Sequence, residues 1–224
     1  MLDPQQTVAS LVLDHSECAP VFQRHRIDFC CHGDISIEAA ATERGIDTAV
    51  LVDELSTAIA SRSGAEAADP RALSTPALVA HVVSKHHEYL RQALPFVGAL
   101  AAKVSRVHGE RNPKLRELDA LVRELGDALV PHLDTEEQTL FPALTAEAPD
   151  RGLVARELRA MHDEHLAVGK LLERVRSATD EFEYPDWACN SYRTLFAELE
   201  QLEGDVHRHV HLENHVLMPR FASA

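Results

Sequence analysis

The sequence of 224 residues carries 22 Lys and Arg against 36 Asp and Glu, a formal net charge of −14 with His neutral. This acidic balance argues against nucleic acid or an anionic membrane surface as the main partner. The hydrophobic fraction of 45% and the charged fraction of 26% are those of an ordinary folded protein, which excludes a chain that is disordered throughout. Fourteen His residues are many for this length and require an explanation.

The first sixty residues predict short helices and no export signal. Apolar spacing indicates helices over 7–14, 18–26, 35–44 and 48–60. The N-terminal segment lacks the basic and apolar stretches of a signal peptide, and no window of 18 apolar residues predicts a membrane span. Because Cys30 and Cys31 are adjacent, which is a poor basis for a disulfide framework, we expect a reducing cytoplasm.

A polar, Pro-containing segment over 61–73 predicts a linker between two domains. Beyond it, four long helical patterns are separated by short breaks at 109–113, 148–152 and 182–186. We therefore expect a small helical domain over 1–60 and a second domain over 74–224.

Each of the four long segments carries a stripe of apolar residues at alternating steps of four and three. The first stripe begins with Val83, His87, Leu90 and Leu94. This spacing places the stripe on one face of a helix that packs into a bundle core. Four such helices joined by short loops predict an all-α fold with an up-down-up-down four-helix bundle.

Each stripe is apolar except at one level, where it changes to His or to His and Glu. The polar positions are His87, His132, Glu136, His165, His209 and Glu213. In an antiparallel bundle, the starts of the first and third helices lie level with the ends of the second and fourth, so these six side chains should converge. A lone His on such a face is usually a hydrogen-bonded core residue, but six polar residues on four helices predict a metal site.

Four imidazoles and two carboxylates are more ligands than one tetrahedral zinc ion takes. They suit two ions, each bound by two His, with both Glu as bridges. Nitrogen and oxygen ligands without thiolate favour iron, with manganese and zinc as alternatives. The pairs place His before Glu at i, i+4, unlike the Glu-x-x-His pairs of ferritin-like proteins. We therefore predict two non-haem iron ions with carboxylate bridges and a shared solvent oxygen.

Four stretches resemble the hemerythrin-like domain of the Repair of Iron Centers di-iron proteins: KHHEYLRQALP, HLDTEEQTLFP, MHDEHLAVGKLL and HRHVHLENHVLMPR. The stretch RHRIDFCCHGD resembles the small Cys-Cys domain that precedes the bundle in that family. The resemblance implies the same six metal ligands, an oxo-bridged di-iron site, and Glu164 as an acidic residue just outside the ligands. It also implies a role in restoring iron–sulfur clusters damaged by nitric oxide or peroxide, by donating iron or reducing nitric oxide. Damaged iron–sulfur proteins would then be the partners.

The adjacent Cys30 and Cys31 match the family motif and are the candidate reactive residues of the N-terminal domain. We hypothesise that a diferrous centre binds nitric oxide or releases iron, while the Cys pair delivers electrons or metal. Basic neighbours, namely Arg24, His25 and Arg26, predict a lowered thiol pKa. The alternative is that both Cys pack as small hydrophobic residues.

Several polar residues near these motifs are interpreted as peripheral. Glu137 points about 100° away from Glu136 on a helix, so we expect a surface charge. His207 and His211 lie on other faces than His209 and are expected to be solvated. His32 stands where the family usually has Gly, which puts a backbone conformation with positive φ in doubt there.

Two other functions remain open at this point. A sensor or carrier that binds oxygen or nitric oxide without turnover would use the same bundle, although oxygen-carrying hemerythrins favour five His and this chain offers four. A bundle in which the metal ion only stabilises the fold would need neither an open coordination position nor a Cys-Cys domain. The sequence leaves open whether the protein is an enzyme and whether it forms a homodimer.

Overall fold

The computed structural model describes residues 2–61 and 69–221, and within them the predicted all-α fold is confirmed. Most of the predicted linker, 62–68, lies outside the described residues. In the part of the chain that is described, no helix has the length and apolar content of a membrane span. The helices are α1 (Val8–Asp14), α2 (Ala19–Arg24), α3 (Ile37–Arg44), α4 (Thr48–Ala60), α5 (Thr75–Val82), α6 (Glu88–His108), α7 (Lys114–Thr135), α8 (Phe141–Thr145), α9 (Arg151–Ala178) and α10 (Asn190–Leu212).

Within residues 2–61 and 69–221, three π turns interrupt the regular helical hydrogen bonding. They are Val83–His87 between α5 and α6, Glu136–Leu140 between α7 and α8, and Glu213–Leu217 after α10. In each turn the next backbone N–H bonds to the carbonyl five residues earlier instead of four, as Phe141 does to Glu136. Short 3₁₀ turns occur at Ser16–Cys18, Pro70–Ala72 and Met218–Arg220.

The chain divides into two compact units, and the division falls inside α10. The first unit comprises the described parts of Met1–Ser74 and His207–Ser223, and the second is Thr75–Val206. Helices α1 to α4 therefore share a unit with the C-terminal segment, whereas α5 to α9 share theirs with the beginning of α10.

In the first unit, two side-chain caps define where helices begin. Thr7 precedes α1 and accepts a hydrogen bond from the Ser10 N–H, and Ser36 precedes α3 and accepts one from the Ala39 N–H. Each cap satisfies a backbone donor that the first helical turn leaves over. Apolar side chains from all four short helices and the following loops fill the interior; the fully buried ones include Leu11, Phe22, Phe29, Ile37, Leu51 and Leu55.

In the second unit, α6, α7, α9 and the beginning of α10 form the predicted up-down-up-down bundle. Helix α6 packs on α7, and α7 packs on α9. The start of α10 meets the end of α6, where Asn112 donates to the Tyr192 hydroxyl at 2.8 Å. Further along, Asp205 of α10 lies 3.0 Å from His86 near the start of the same helical segment. Helix α10 therefore runs antiparallel to α5 and α6.

A buried ion pair joins α9 to α10. Arg176 Nε donates to Glu203 Oε1 at 2.9 Å, and the Glu203 side chain is almost fully buried. Because both charges are removed from water, loss of either partner would leave a costly buried charge. Around this pair the predicted stripes supply the core, with Leu90, Val97, Leu118, Leu125, Leu172, Tyr192 and Leu199 buried.

The prediction for the start of the first stripe is wrong by one residue. Val82 is fully buried, whereas Val83 is only half-buried. The π turn Val83–His87 inserts an extra residue into one turn of helix, so the residue on the same face as His87 lies five positions earlier. A pattern based on 3.6 residues per turn cannot show this shift.

Replacing Gly33 by Ala should lower the free energy of unfolding by about 1–3 kcal/mol. An added Cβ would lie 2.5 Å from the Phe29 carbonyl oxygen and 2.7 Å from the Ala9 Cβ. Gly98→Ala in α6 is the control, because its Cβ meets nothing within 4 Å and the change should be neutral or stabilising by up to ~1 kcal/mol. Denaturant unfolding measures both variants, and equal effects would contradict the close approach at Gly33.

Candidate metal centre and thiol loop

Glu136 lies at the centre of a buried cluster of imidazoles in the second unit. Its Oε2 is 3.3 Å from His87 Nε2, and its Oε1 is 3.3 Å from His132 Nε2 and 4.0 Å from His165 Nε2. All four side chains are less than 5% exposed. Helices α7 and α9 and the π turns that hold His87 and Glu136 thus bring four of the six predicted ligands together.

The atoms of this cluster fit a bound cation. His132, Glu136 and His165 each offer a ligand atom, and these atoms lie within 4.8 Å of one another. Neutral imidazole nitrogen and carboxylate oxygen are ligands that first-row transition metals accept. A buried His and Glu cluster of this composition fits a metal site.

Carboxylates on the outer side of two imidazoles fix which ring nitrogen faces Glu136. His132 Nδ1 lies 2.7 Å from Glu164 Oε2, and His87 Nδ1 lies 2.9 Å from Glu137 Oε1. An ionised carboxylate only accepts hydrogen bonds, so each Nδ1 must be the donor. In the neutral ring, Nε2 then presents its lone pair to Glu136, an approach that is repulsive unless a proton or a metal ion lies between them.

The interpretation of Glu137 as a surface charge is wrong. Arg91 donates to Glu137 at 3.0 Å and to Asp134 at 2.7 Å, and Glu137 accepts from His87. Burial alone would raise the pKa of Glu137, but hydrogen bonds from His87 and Arg91 outweigh it and hold that pKa below its usual value. Arg91, four residues after His87, is the sequence signal that could have indicated an acidic partner on this side.

Glu164 makes its contact with His132 of the neighbouring helix. Its side chain is half-exposed, and the hydrogen bond from His132 lowers the pKa of Glu164. The carboxylate therefore remains charged at neutral pH and can orient the imidazole. The sequence indicated Glu164 through a matching position, but could not indicate which His it contacts.

His209 and Glu213 form a second buried pair, in the first unit. His209 Nε2 lies 3.1 Å from Glu213 Oε1, and both side chains are fully buried. His209 belongs to the last turn of α10, and Glu213 begins the π turn that follows. The i, i+4 spacing that His132 and Glu136 use is repeated here.

All three π turns have a predicted ligand at one end. His87 ends the first turn, Glu136 begins the second and Glu213 begins the third. Pro142 and Pro219 come two positions after the ends of the last two turns; lacking an N–H, they cannot continue regular helical bonding. π turns are frequent at functional sites because they re-aim side chains within a continuous helix.

A buried pair of His86 and Asp205, 3.0 Å apart, lies in the second unit, and the sequence did not indicate this pairing. His86 directly precedes His87, so the sequence indicates a position next to the predicted ligands but does not indicate its partner. The two partners are 119 positions apart, so no local pattern could have paired them.

Cys30 and Cys31 lie in a loop of the first unit that Asp28 organises. Asp28 Oδ1 accepts the backbone N–H groups of Cys30 at 2.9 Å and Cys31 at 2.8 Å, and Oδ2 lies 2.7 Å from His32 Nδ1. Burial opposes the charge, but the hydrogen bonds from Cys31, His32 and Cys30 together lower the pKa of Asp28 to about 2. The sequence did not indicate Asp28.

The prediction that basic neighbours lower the thiol pKa is wrong for Cys30. The hydrogen bond between Cys30 Sγ and Cys31 Sγ, burial and the charge of Asp28 raise the pKa of Cys30 well above its usual value. Two of the basic residues are engaged elsewhere, since Arg24 and His25 both bond to Glu54.

The doubt about His32 is also resolved. His32 is not among the residues with positive φ, so this position does not require Gly. Its ring is exposed and contacts Asp28. The glycine that the loop does require is Gly33, where the chain passes close to Phe29 and Ala9.

The C-terminal segment of the same unit holds the thiol loop by its carbonyl groups. His211 Nδ1 donates to Phe29 O, while Asn214 Nδ2 and His215 Nε2 both donate to Cys30 O, each at 2.9 Å. His211 is buried, and burial lowers its pKa to about 4, so the expectation that it is solvated is wrong. His207, half-buried, contacts the ring of Phe29 edge-on.

Comparison with known proteins gives matches along nearly the whole chain. The family described as the hemerythrin HHE cation binding domain matches residues 78–221, and a domain of unknown function, DUF542 or ScdA_N, matches residues 4–59. The iron-sulfur cluster repair protein ScdA of Staphylococcus haemolyticus is 33% identical over 226 residues, covering 99% of this chain and 100% of the relative. The iron-sulfur cluster repair protein YtfE of Yersinia pseudotuberculosis is 32% identical over 218 residues, covering 96% of each chain.

These matches confirm the resemblance drawn from the four bundle motifs and the Cys-Cys stretch. The two domains occur in the expected order, and the relatives match this chain from end to end. With its DUF542 and hemerythrin HHE domains, the chain belongs to the same family as the iron-sulfur cluster repair proteins ScdA and YtfE.

Proposed function

We propose that this protein helps to repair iron–sulfur clusters damaged by nitrosative or oxidative stress, and that it does so with a di-iron centre. The observation that carries the proposal is the buried Glu136 with imidazoles facing both of its oxygens. The names of relatives that match the full length of the chain support the repair role. Damaged iron–sulfur proteins are then the partners.

Six side chains are the proposed ligands: His87, His132, Glu136, His165, His209 and Glu213. Each is buried, with at most 4% of its surface exposed, and all lie within the matched hemerythrin HHE domain. Four imidazoles and two carboxylates exceed the needs of one tetrahedral ion, and a donor set without thiolate favours iron.

The two oxygens of Glu136 support a bridging role for this carboxylate. Oε2 faces His87, whereas Oε1 faces His132 and His165. A carboxylate whose oxygens point to different imidazoles can bind one ion through each oxygen. Glu213 is the proposed second bridge, and His209 completes the set of two imidazoles for each ion.

Glu137 and Glu164 are proposed to orient the ligands from outside. Each accepts a hydrogen bond from the Nδ1 of a ligand imidazole, which directs Nε2 inward and raises the basicity of the ring. Arg91 in turn holds Glu137 in place.

Iron held here would supply a redox-active centre for a small ligand such as nitric oxide or oxygen, and a source of iron for cluster rebuilding. The Cys30 and Cys31 thiols are proposed to deliver electrons or metal. Their sulfur atoms are 3.7 Å apart, well beyond the about 2.05 Å of a disulfide bond, so both side chains are thiols.

A sensor or carrier of oxygen or nitric oxide is the second candidate, because it needs the same buried cluster. It needs no thiol chemistry, and this difference separates the two. The loop that presents both thiols, built by Asp28 and held by Asn214 and His215, favours the repair role.

Metal analysis of protein purified without air should give about two iron ions per chain. His165→Ala should reduce this content to about one or less, because it removes a buried nitrogen ligand beside Glu136. His162→Ala, on the same helix but outside the cluster, should keep the wild-type content. Unchanged iron in His165→Ala, or zinc as the metal in all samples, would contradict the di-iron proposal.

Glu164→Gln and Glu137→Gln should each weaken iron binding by about 10–100-fold, because each removes the charge that orients a ligand imidazole. Competition with a chelator measures the affinity. Asp163→Asn, which changes a neighbouring exposed charge, is the matched control and should bind iron as the wild type does. A loss of equal size in all three variants would point to general surface charge instead of ligand orientation.

Repair activity should be lost in Cys30→Ser/Cys31→Ser, because the thiols are proposed to act on the damaged cluster. The assay adds the protein to a cluster enzyme inactivated by nitric oxide and follows the return of activity. Cys189→Ser, which alters an exposed Cys outside the loop, should remain active. If the double variant repairs as well as the wild type, the role of the thiols fails; if the wild type binds nitric oxide but repairs nothing, the sensor or carrier is favoured.

A further inference from the structure

Three metal-binding side chains meet in the thiol loop. Asp28, Cys30 and Cys31 each offer a ligand atom, and these atoms lie within 4.8 Å of one another. Cys30 Sγ is 3.7 Å from Cys31 Sγ and 3.1 Å from Asp28 Oδ1. The cluster shares no residue with the six proposed ligands of the iron centre.

The separation of the two sulfur atoms matches the bite of a tetrahedral ion. With metal–sulfur bonds of about 2.3 Å and a tetrahedral angle, two thiolates on one ion lie about 3.8 Å apart. The observed 3.7 Å needs no rearrangement of the loop. Asp28 Oδ1 lies close enough to Cys30 Sγ for the same ion to contact both.

The loop is held in this arrangement from two directions. Asp28 accepts both Cys backbone N–H groups, and Asn214 and His215 donate to the Cys30 carbonyl. A site whose donors are fixed in advance loses little conformational entropy on binding. Cys31 is only half-buried, so the loop is open to solvent at this residue, whereas Cys30 is buried.

The charges in the loop also favour an ion. Asp28 keeps its negative charge, with a pKa of about 2, while its charge and burial help to keep the Cys30 thiol protonated. A divalent cation relieves this repulsion by replacing the two thiol protons: M²⁺ and two thiols give the dithiolate complex and two H⁺. No electron transfer is needed, and the bound set has a net charge of −1.

We propose that Asp28, Cys30 and Cys31 form a second metal site, which binds one divalent thiophilic ion, Fe²⁺ or Zn²⁺, through two thiolates and one carboxylate. The fourth position is open to an external ligand. The binding itself is independent of the proposed function; only its use, as a place where iron passes to or from a damaged cluster, rests on it.

Anaerobic titration of the full-length, iron-loaded protein with Co²⁺ tests the proposal directly, because a thiolate-bound cobalt ion has a near-ultraviolet charge-transfer band that nitrogen and oxygen ligands do not give. The band should saturate at about one Co²⁺ per chain, with two protons released per ion. Competition with Zn²⁺ and Fe²⁺ ranks the two candidate ions.

Variants separate the three ligands. Cys30→Ser/Cys31→Ser should abolish the band, and Cys31→Ser alone should reduce both its intensity and the affinity. Asp28→Asn keeps an oxygen that accepts the two backbone N–H groups but loses the charge, so the affinity should fall at least about tenfold. Cys189→Ser should titrate as the wild type does, and circular dichroism establishes that each variant is folded.

Absence of the band in the wild type, or its persistence in the double Cys variant, would overturn the site. If a folded Asp28→Asn variant binds Co²⁺ with wild-type affinity, the Asp28 carboxylate is not a ligand. If that variant does not fold, the Cys31→Ser variant decides between a site with two thiolates and no site. The repair assay is a separate readout: a protein that repairs clusters without binding Co²⁺ refutes this site and leaves the di-iron proposal standing.

Discussion

The second unit depends on the burial of the Glu136 carboxylate, a group that loses the stabilisation of water when it enters a core. Imidazole nitrogens of His87 and His132 lie 3.3 Å from its oxygens, and both of these rings are bonded on their far side to further carboxylates. Lone pairs therefore converge on negative charge, and only protons or cations between them make the arrangement stable. A protein that needed only stability would fill this space with apolar side chains, which often pack at no loss of stability.

The imidazoles around Glu136 must all point towards its carboxylate, and regular helices alone do not produce this orientation. Each π turn adds one residue to a helical turn, which rotates the side chains on either side of it relative to one another by about 100°. Glu136 and Glu213 both stand at the first residue of such a turn, each four residues after its His and six before a proline. The proline lacks the N–H that regular helical bonding would need at this position. A proline six residues after the Glu is therefore a local sequence signal for the irregular turn.

The sequence alone indicated the helical fold and the six polar positions of the bundle. Apolar residues recur at alternating intervals of four and three residues along each long helix, and a polar residue in such a pattern is easily recognised. It failed where the structure departs from that period: Val82 replaces Val83 on the buried face because of the π turn. It also failed where a contact joins distant segments, as between Glu137 and His87. His211 was misplaced because it packs on a domain that is remote in sequence, against Phe29.

The first unit shows why the N-terminal loop and the end of α10 fold together. Three consecutive residues each make a specific contact. Glu213 pairs with His209, and the next two residues, Asn214 and His215, donate hydrogen bonds to the Cys30 carbonyl. All three lie within the same π turn, so a change in the turn that moves the Glu213 carboxylate also moves the donors that fix the thiol loop. Because backbone carbonyls of the loop are bonded to side chains of the turn, the positions of Glu213 and of the Cys30 backbone cannot be adjusted independently.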